Sequence, residues 1–165
     1  MLSFNRRTLL LLPLAAVLVL AACGFTPVYA PGGTASALRG RVEVAAPDST
    51  DAYQLVQNLE ERLGQPDLAI YALSYTLKTE ALGQAITAAN ETTRYSLVGK
   101  VDYVLRSNES GDIVASGTVD NFTGYSATGS TVETFAAERD ARVRLMVILA
   151  DQITTRLYAT ADLPQ

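Results

Sequence analysis

The residue in this chain best placed to do covalent chemistry is its one cysteine, Cys23. It follows an apolar block from Leu9 to Leu20 and two small residues, Ala21 and Ala22, with Arg6 and Arg7 in front of the block. A basic start, an apolar middle and a small-residue end make the layout of a secretory signal. A thiol at that point is a nucleophile held beside a membrane, where it can be acylated. The block runs about a dozen residues and is broken by Pro13, which falls short of the ~18 to 20 apolar residues that span a bilayer. A lone thiol is often a core residue, but a core cysteine does not sit at the end of a signal-like block. Asn5-Arg6-Arg7-Thr8-Leu9 has something of a twin-arginine export signal, and the long leucine run points instead to the general route.

Leu20-Ala21-Ala22-Cys23 resembles the lipobox of bacterial lipoproteins. That resemblance implies a diacylglyceryl group on the Cys23 sulfur, cleavage just before that residue and a further acyl chain on the new amine. One acyl chain, at about 0.8 kcal/mol per buried CH2, binds a membrane only marginally, whereas two or three hold a domain durably. The expected organisation is a signal over residues 1–22, a lipidated tether over 23–37 and a single domain over 38–165. No cofactor is expected beyond the covalent lipid on Cys23.

Charge and composition narrow the classes of function. The 165 residues carry 13 basic and 17 acidic side chains, and loss of Arg6 and Arg7 with the signal leaves 11 against 17. An acidic domain is a poor partner for nucleic acid. With Cys23 consumed by lipid, no thiol remains for a disulfide, a metal or a nucleophile. The sequence has no His, which removes a Ser-His-Asp triad, a His-activated thiol and the usual zinc hydrolase sites. Gly99-Lys100 has Arg94 where a phosphate-binding loop needs its first glycine. Glu60 and Glu61 are adjacent on a helix and so point apart. Asn90-Glu91-Thr92, Asn108-Glu109-Ser110 and Asn121-Phe122-Thr123 match the glycosylation pattern, which a bacterial lipoprotein signal makes irrelevant. These observations exclude an enzyme of familiar type and predict no metal site.

The elements follow from periodicity. Gly24 to Ala37, rich in Gly, Pro, Ala and Thr, reads as irregular chain, with Phe25, Val28 and Tyr29 able to meet a membrane interface, a partner or their own domain. Alternation from Leu38 to Ala45, with Leu38, Gly40, Val42 and Val44 on one face, predicts a half-buried strand. Ser49 caps a helix from Thr50, with Ala52, Leu55, Val56, Leu59 and Leu63 on its apolar face, and Gly64 and Pro66 end it. Leu68 to Thr79 reads as a centrally placed strand, and Glu80 to Thr93 as a loop or a strand extension. Tyr95 to Arg106 is a strand with Tyr95, Leu97, Val101, Tyr103 and Leu105 inward. Ser107 to Asp112 is a hairpin turn. Ile113 to Tyr125 returns with Ile113, Ala115 and Val119 in register, and the opposite parity of Phe122 suggests a bulge or twist there. Ser130 and Glu133 form a capping box for a helix to Tyr158, with a stripe of Phe135, Val143, Met146, Ala150, Ile153 and Leu157. Around Leu145 to Leu149 apolar residues encircle this helix, which predicts burial on more than one side or a partner on the second side.

The resulting fold class is α+β: a two-layer sandwich of about four mixed, mostly antiparallel strands with two helices on one face, in the order β-α-β-β-β-α. In that order and spacing, several stretches resemble the LptE family of lipopolysaccharide-assembly lipoproteins. They are Cys23-Gly24-Phe25-Thr26-Pro27-Val28-Tyr29, Arg94-Tyr95-Ser96-Leu97-Val98-Gly99, Ser116-Gly117, Phe135-Ala136 and Leu149-Ala150-Asp151-Gln152-Ile153. The resemblance covers the whole chain after the signal. It implies a lipid anchor in the inner leaflet of the outer membrane, facing the periplasm, with Gly24 fitting outer-membrane sorting. It also implies an LptD-like β-barrel as partner and contact with lipopolysaccharide. Phosphates on that ligand would need a local cluster of arginines, and the candidates are Arg94, Arg139 and Arg142; the other outcome is that these arginines pair with Glu138 and Asp140 as solvated ion pairs, each worth about 0 to 1 kcal/mol. The alternative is an accessory lipoprotein of another envelope system, a secretin pilot or an auxiliary lipoprotein of an ABC lipid transporter.

Overall fold

The computed structural model describes Tyr29, residues 32–86 and residues 91–163. The signal, Cys23 and most of the tether therefore lie outside the described residues. The elements are α1 (Thr34–Leu38), β1 (Val42–Val44), α2 (Thr50–Leu63), β2 (Tyr71–Ile86), β3 (Thr92–Ser107), β4 (Ile113–Ser126) and α3 (Thr131–Thr160). The sheet order is β1-β2-β3-β4, with β1 parallel to β2 and the other pairs antiparallel. This is the expected α+β sandwich: one face of the sheet carries the helices, and the other, lined by Ser74, Thr76, Lys78, Lys100, Asp102 and Thr118, is polar.

Local sequence accounts for the helix ends. The Ser49 side chain accepts from the Ala52 amide at 3.2 Å, and α2 runs from there to a C-cap at Gly64. Its Ala52, Leu55, Val56, Leu59 and Leu63 are all buried, as their spacing requires. The capping box of α3 is present in both halves, with Glu133 N to Ser130 Oγ at 3.4 Å and Ser130 N to Glu133 Oε2 at 2.7 Å. The core joins Leu55, Leu59 and Leu63 of α2 to Leu97, Val101 and Leu105 of β3 and to Leu145, Leu149 and Ile153 of α3.

One glycine sets how closely the layers meet. A Cβ on Gly99 would lie 2.9 Å from both Leu145 Cδ2 and Leu149 Cδ1. The absence of a side chain there lets α3 lie down on β3.

Several element readings need correction. Residues 34–38 form a helical turn where irregular chain and the start of a strand were expected. Ala35 and Leu38, three apart on that turn, both reach the core, and Gly40 (φ +68°) then redirects the chain, so the alternation that seemed to start at Leu38 is strand only over Val42–Val44. From Glu80 onward no correction is needed: of the two outcomes expected there, strand extension is the one found, and β2 runs to Ile86 with irregular register between Gly83 and Ile86. Because β1 covers only Tyr71 to Leu73, β2 is central for three residues and an edge beyond them.

In β4 the bulge lies at the start of the strand. Leu105 pairs with Ala115 and Arg106 with Ile113, so Val114 is the extra residue. It turns inward, 8 % exposed, while Ile113 is 52 % exposed. Phe122 sits in regular register opposite Val98 and is on the outer face because its parity places it there.

The stripe on α3 also begins later than its periodicity suggested. Phe135 and Val132 are exposed, and burial begins at Ala141. At 1.5 Å per residue α3 is about 45 Å long and α2 about 21 Å, so the first turns of α3 project past the layer that would bury them. Leu145, Met146 and Leu149 are buried, while Val147 between them reaches solvent. The encircling apolar segment is therefore covered by sheet and α2 but not on every side.

Candidate functional site

The domain has two ends of different character. Tyr29, the first described residue, packs edge-on against Tyr158 near the C-terminus of α3, with ring centroids 5.8 Å apart. Tyr29 touches its own domain by this edge and is otherwise 73 % exposed; Phe25 and Val28 lie outside the described residues. The Asp162 amide bonds Val114 O near the β3–β4 turn, so the chain enters at the end that holds that turn. At the opposite end lie the start of β3, the end of β4 and the exposed first turns of α3.

That far end carries the arginines of interest, and the fold separates them. Arg94 is exposed on the outer face of β3, with Ser126 opposite it on β4. It lines a cavity of about 550 Å³ together with Gln84, Ser96, Phe122 and Ser126. Beneath this surface Tyr95 and Tyr125 stack at 5.3 Å with an interplanar angle of 13°, giving the end of the sheet a rigid aromatic floor. Burial raises the Tyr125 phenol pKa, with Glu138 and Tyr95 adding to the effect, so it stays a neutral hydroxyl. The arrangement offers one guanidinium, an exposed phenyl ring and hydroxyls, which suits an amphiphile bearing an anionic group.

Arg139 is exposed on α3, which packs on the other face of the sheet from Arg94. Arg142 points back toward α2. Its Nη1 donates to Asp51 Oδ2 at 2.7 Å, and its Nη2 and Nε donate to Glu138 Oε1 at 2.7 and 3.0 Å. The bond with Glu138, with Asp51 beside it, raises its pKa against the opposing effect of burial. This guanidinium is engaged by two carboxylates. Arg144 is paired with Asp140 and also donates to Gly124 O at 3.4 Å. The three candidate arginines do not form one patch. Sequence spacing put Arg139 and Arg142 on a shared helix face; it carried no signal of Asp51, which lies 91 residues away. Phe122 and the stacking of Tyr125 on Tyr95 escaped the sequence reading because only the sheet register brings β4 beside this end of β3.

Among the described residues no group of three or more Cys, Asp or Glu is arranged to hold a metal ion. No helix among them is long and apolar enough to cross a membrane.

Comparison with solved structures shows the same fold in other bacterial proteins. A protein from Caulobacter crescentus superposes with a TM-score of 0.63 at 24 % identity, covering 78 % of this chain and 95 % of that one. Rare lipoprotein B from Shewanella oneidensis gives 0.57 at 11 % identity, with 73 % and 93 % covered. Lipoprotein B from Nitrosomonas europaea gives 0.56 at 15 %, with 73 % and 83 % covered. At these identities the likeness is one of fold. Comparison with curated protein sequences gives no match. The family model described as lipopolysaccharide-assembly, LptE, matches residues 39–157, all seven elements but the first, so the chain belongs to the LptE family of non-catalytic lipopolysaccharide-assembly lipoproteins.

Proposed function

We propose that this protein is the lipoprotein partner of an LptD-like β-barrel in the outer membrane and that it acts in delivering lipopolysaccharide to the outer leaflet. The observation that carries this reading is the LptE match over residues 39–157 behind a lipobox ending at Cys23. Residues 1–22 are removed and Cys23 takes the lipid; the tether ends before residue 34 rather than at 37, because α1 (Thr34–Leu38) packs into the periplasm-facing domain. Family membership carries no catalytic step and no cofactor, so the chain acts by binding.

For the ligand, Arg94 beside Phe122 is the contact we favour, with Arg139 a second, separate one. Arg142 shapes the surface by holding α3 to α2. Recovery of the tagged chain from detergent-solubilised envelopes tests the partner: the expected companion is a large β-barrel protein of the LptD type. Recovery instead of a secretin or of an ABC lipid-transport component would assign the chain to another envelope system. Lipidation is tested separately. Cys23→Ala should leave an uncut precursor or a form free of membrane, and wild-type incorporation of a palmitate analogue into that variant would overturn the anchor. For the ligand, Arg94→Ala should weaken lipopolysaccharide binding by about tenfold, the range of one charge-assisted contact, with no loss of thermal stability. Unchanged binding at low and moderate salt would remove Arg94.

A further inference from the structure

The outer face of the sheet is polar along most of its length and changes character beside Arg94. Glu80, Val98 and Phe122 lie opposite one another across the strands, then Leu82, Ser96 and Gly124, and then Arg94 with Ser126. Leu82 and Phe122 are exposed. Phe122 neighbours Val98 directly and Leu82 neighbours it on the diagonal, so the three make an apolar strip rather than isolated points. The middle row is low. Gly124 has no side chain, and among the described residues a Cβ there would find only Tyr95 O, at 3.7 Å. The cavity of about 550 Å³ is lined by Ser96 and Gly124 of this row, by Phe122 on one side and by Arg94, Gln84 and Ser126 on the other.

The path from the cation to the strip has a definite length. Arg94 and Val98 are four residues apart on β3, about 13 Å at ~3.3 Å per residue, which an extended chain of about ten methylenes spans. Beyond Val98 the next row is Lys78, Lys100 and Asp120, and these charges end the apolar path. Glu80, opposite Val98, repels an anionic group from that end and leaves Arg94 as its place.

We propose that this groove holds one alkyl chain of an anionic amphiphile, with the head group on the Arg94 guanidinium and the chain running along β3 over Val98, between Leu82 and Phe122. The inference rests on the ligand reading at Arg94 and adds a place for the apolar part of the ligand and a limit on its length. The stacked Tyr95 and Tyr125 hold the floor, so the groove is formed before the ligand arrives and binding needs little ordering.

Equilibrium dialysis tests the proposal. The anchored chain is held in phosphatidylcholine nanodiscs and dialysed against labelled hexyl, octyl, decyl and tetradecyl phosphate, with empty discs as the reference so that partition into lipid cancels. Affinity should rise about twofold per methylene from hexyl to decyl, half the free energy of full burial because the groove is open on one side, and should level off by tetradecyl. Gly124→Val, which fills the low row, should bring decyl phosphate down to the affinity of hexyl at an unchanged melting temperature. Leu82→Ser leaves the floor untouched and should lower the slope. Arg94→Ala should weaken all four ligands by about tenfold and keep the slope. Affinity independent of chain length overturns the groove, and Arg94→Ala then still reports on the head-group contact by itself. Affinity that keeps rising through tetradecyl marks adsorption and overturns it too. So does displacement of decyl phosphate by an equal concentration of inorganic phosphate, which would mark a site for the anion alone, or wild-type binding of decyl phosphate by both Gly124→Val and Leu82→Ser. A slope that Arg94→Ala leaves at wild-type affinity overturns the head-group placement.

Discussion

Arg142 of α3 and Asp51 of α2 meet at 2.7 Å, and Asp51 also accepts from Thr79 Oγ1 of β2 at 3.2 Å. Two helices and the sheet are thus joined at the point where α3 leaves the core. The Arg142 side chain is 34 % exposed and that of Asp51 16 %, so solvent screens the pair only in part. Arg142→Ala is expected to lower unfolding free energy by about 1–2 kcal/mol, above a surface pair and below a fully buried one. Asp51→Asn should cost less, because the amide oxygen can still accept. Urea denaturation of both variants checks this order, and an Arg142→Ala cost within error of zero would show the bridge to be ornamental.

Gly99→Ala should destabilise by about 1–3 kcal/mol, the range for overpacking a filled core, because the new methyl meets Leu145 and Leu149 at 2.9 Å. Gly124→Ala makes the control. Its Cβ would find only Tyr95 O, at 3.7 Å, and its melting temperature should barely move.

Met146 is fully buried. Met146→Asp should cost about 4 kcal/mol or more, through an unpaired buried charge added to lost packing. Val147→Asp, one residue on and 36 % exposed, should cost far less. Equal costs at the two positions would place the helix differently from the orientation described.

The capping box gives a pH dependence. The Glu133 carboxylate accepts from the Ser130 amide, and this bond first, then the Ser130 side chain, holds its pKa below the ordinary glutamate range. A carboxylate with a depressed folded pKa contributes in full above its unfolded value and loses that contribution as pH falls through the folded one. The first turn of α3 should fray on acidification below the ordinary glutamate range, seen as lower amide protection factors over residues 131–134 relative to the intrinsic exchange rate at each pH. Glu133→Gln should abolish this pH dependence. Ser130→Ala should cost about 1 kcal/mol at neutral pH.

Features encoded by neighbours in sequence were legible without coordinates. Ser49 and Gly64 bound α2 because caps act within one turn, and Ser130 with Glu133 announces α3 for the same reason. The inward set Leu97, Val101, Tyr103 and Leu105 follows from a two-residue period that β3 obeys throughout. The lipobox is read as a linear string. What depends on which element lies over which residue had to come from the tertiary structure. Phe135 continues the α3 stripe in good period, yet it is exposed because α2 and the sheet end before reaching it. Val114 is buried because a bulge shifts register against Leu105. The pairing of Arg142 with Glu138 one turn away was legible in the spacing, but its second carboxylate, Asp51, came only with folding, while Arg94 and Arg139 were parted by the sheet between them. Periodicity fixes the direction a side chain takes from its own element; only packing decides whether a neighbour, a counter-charge or water is waiting there.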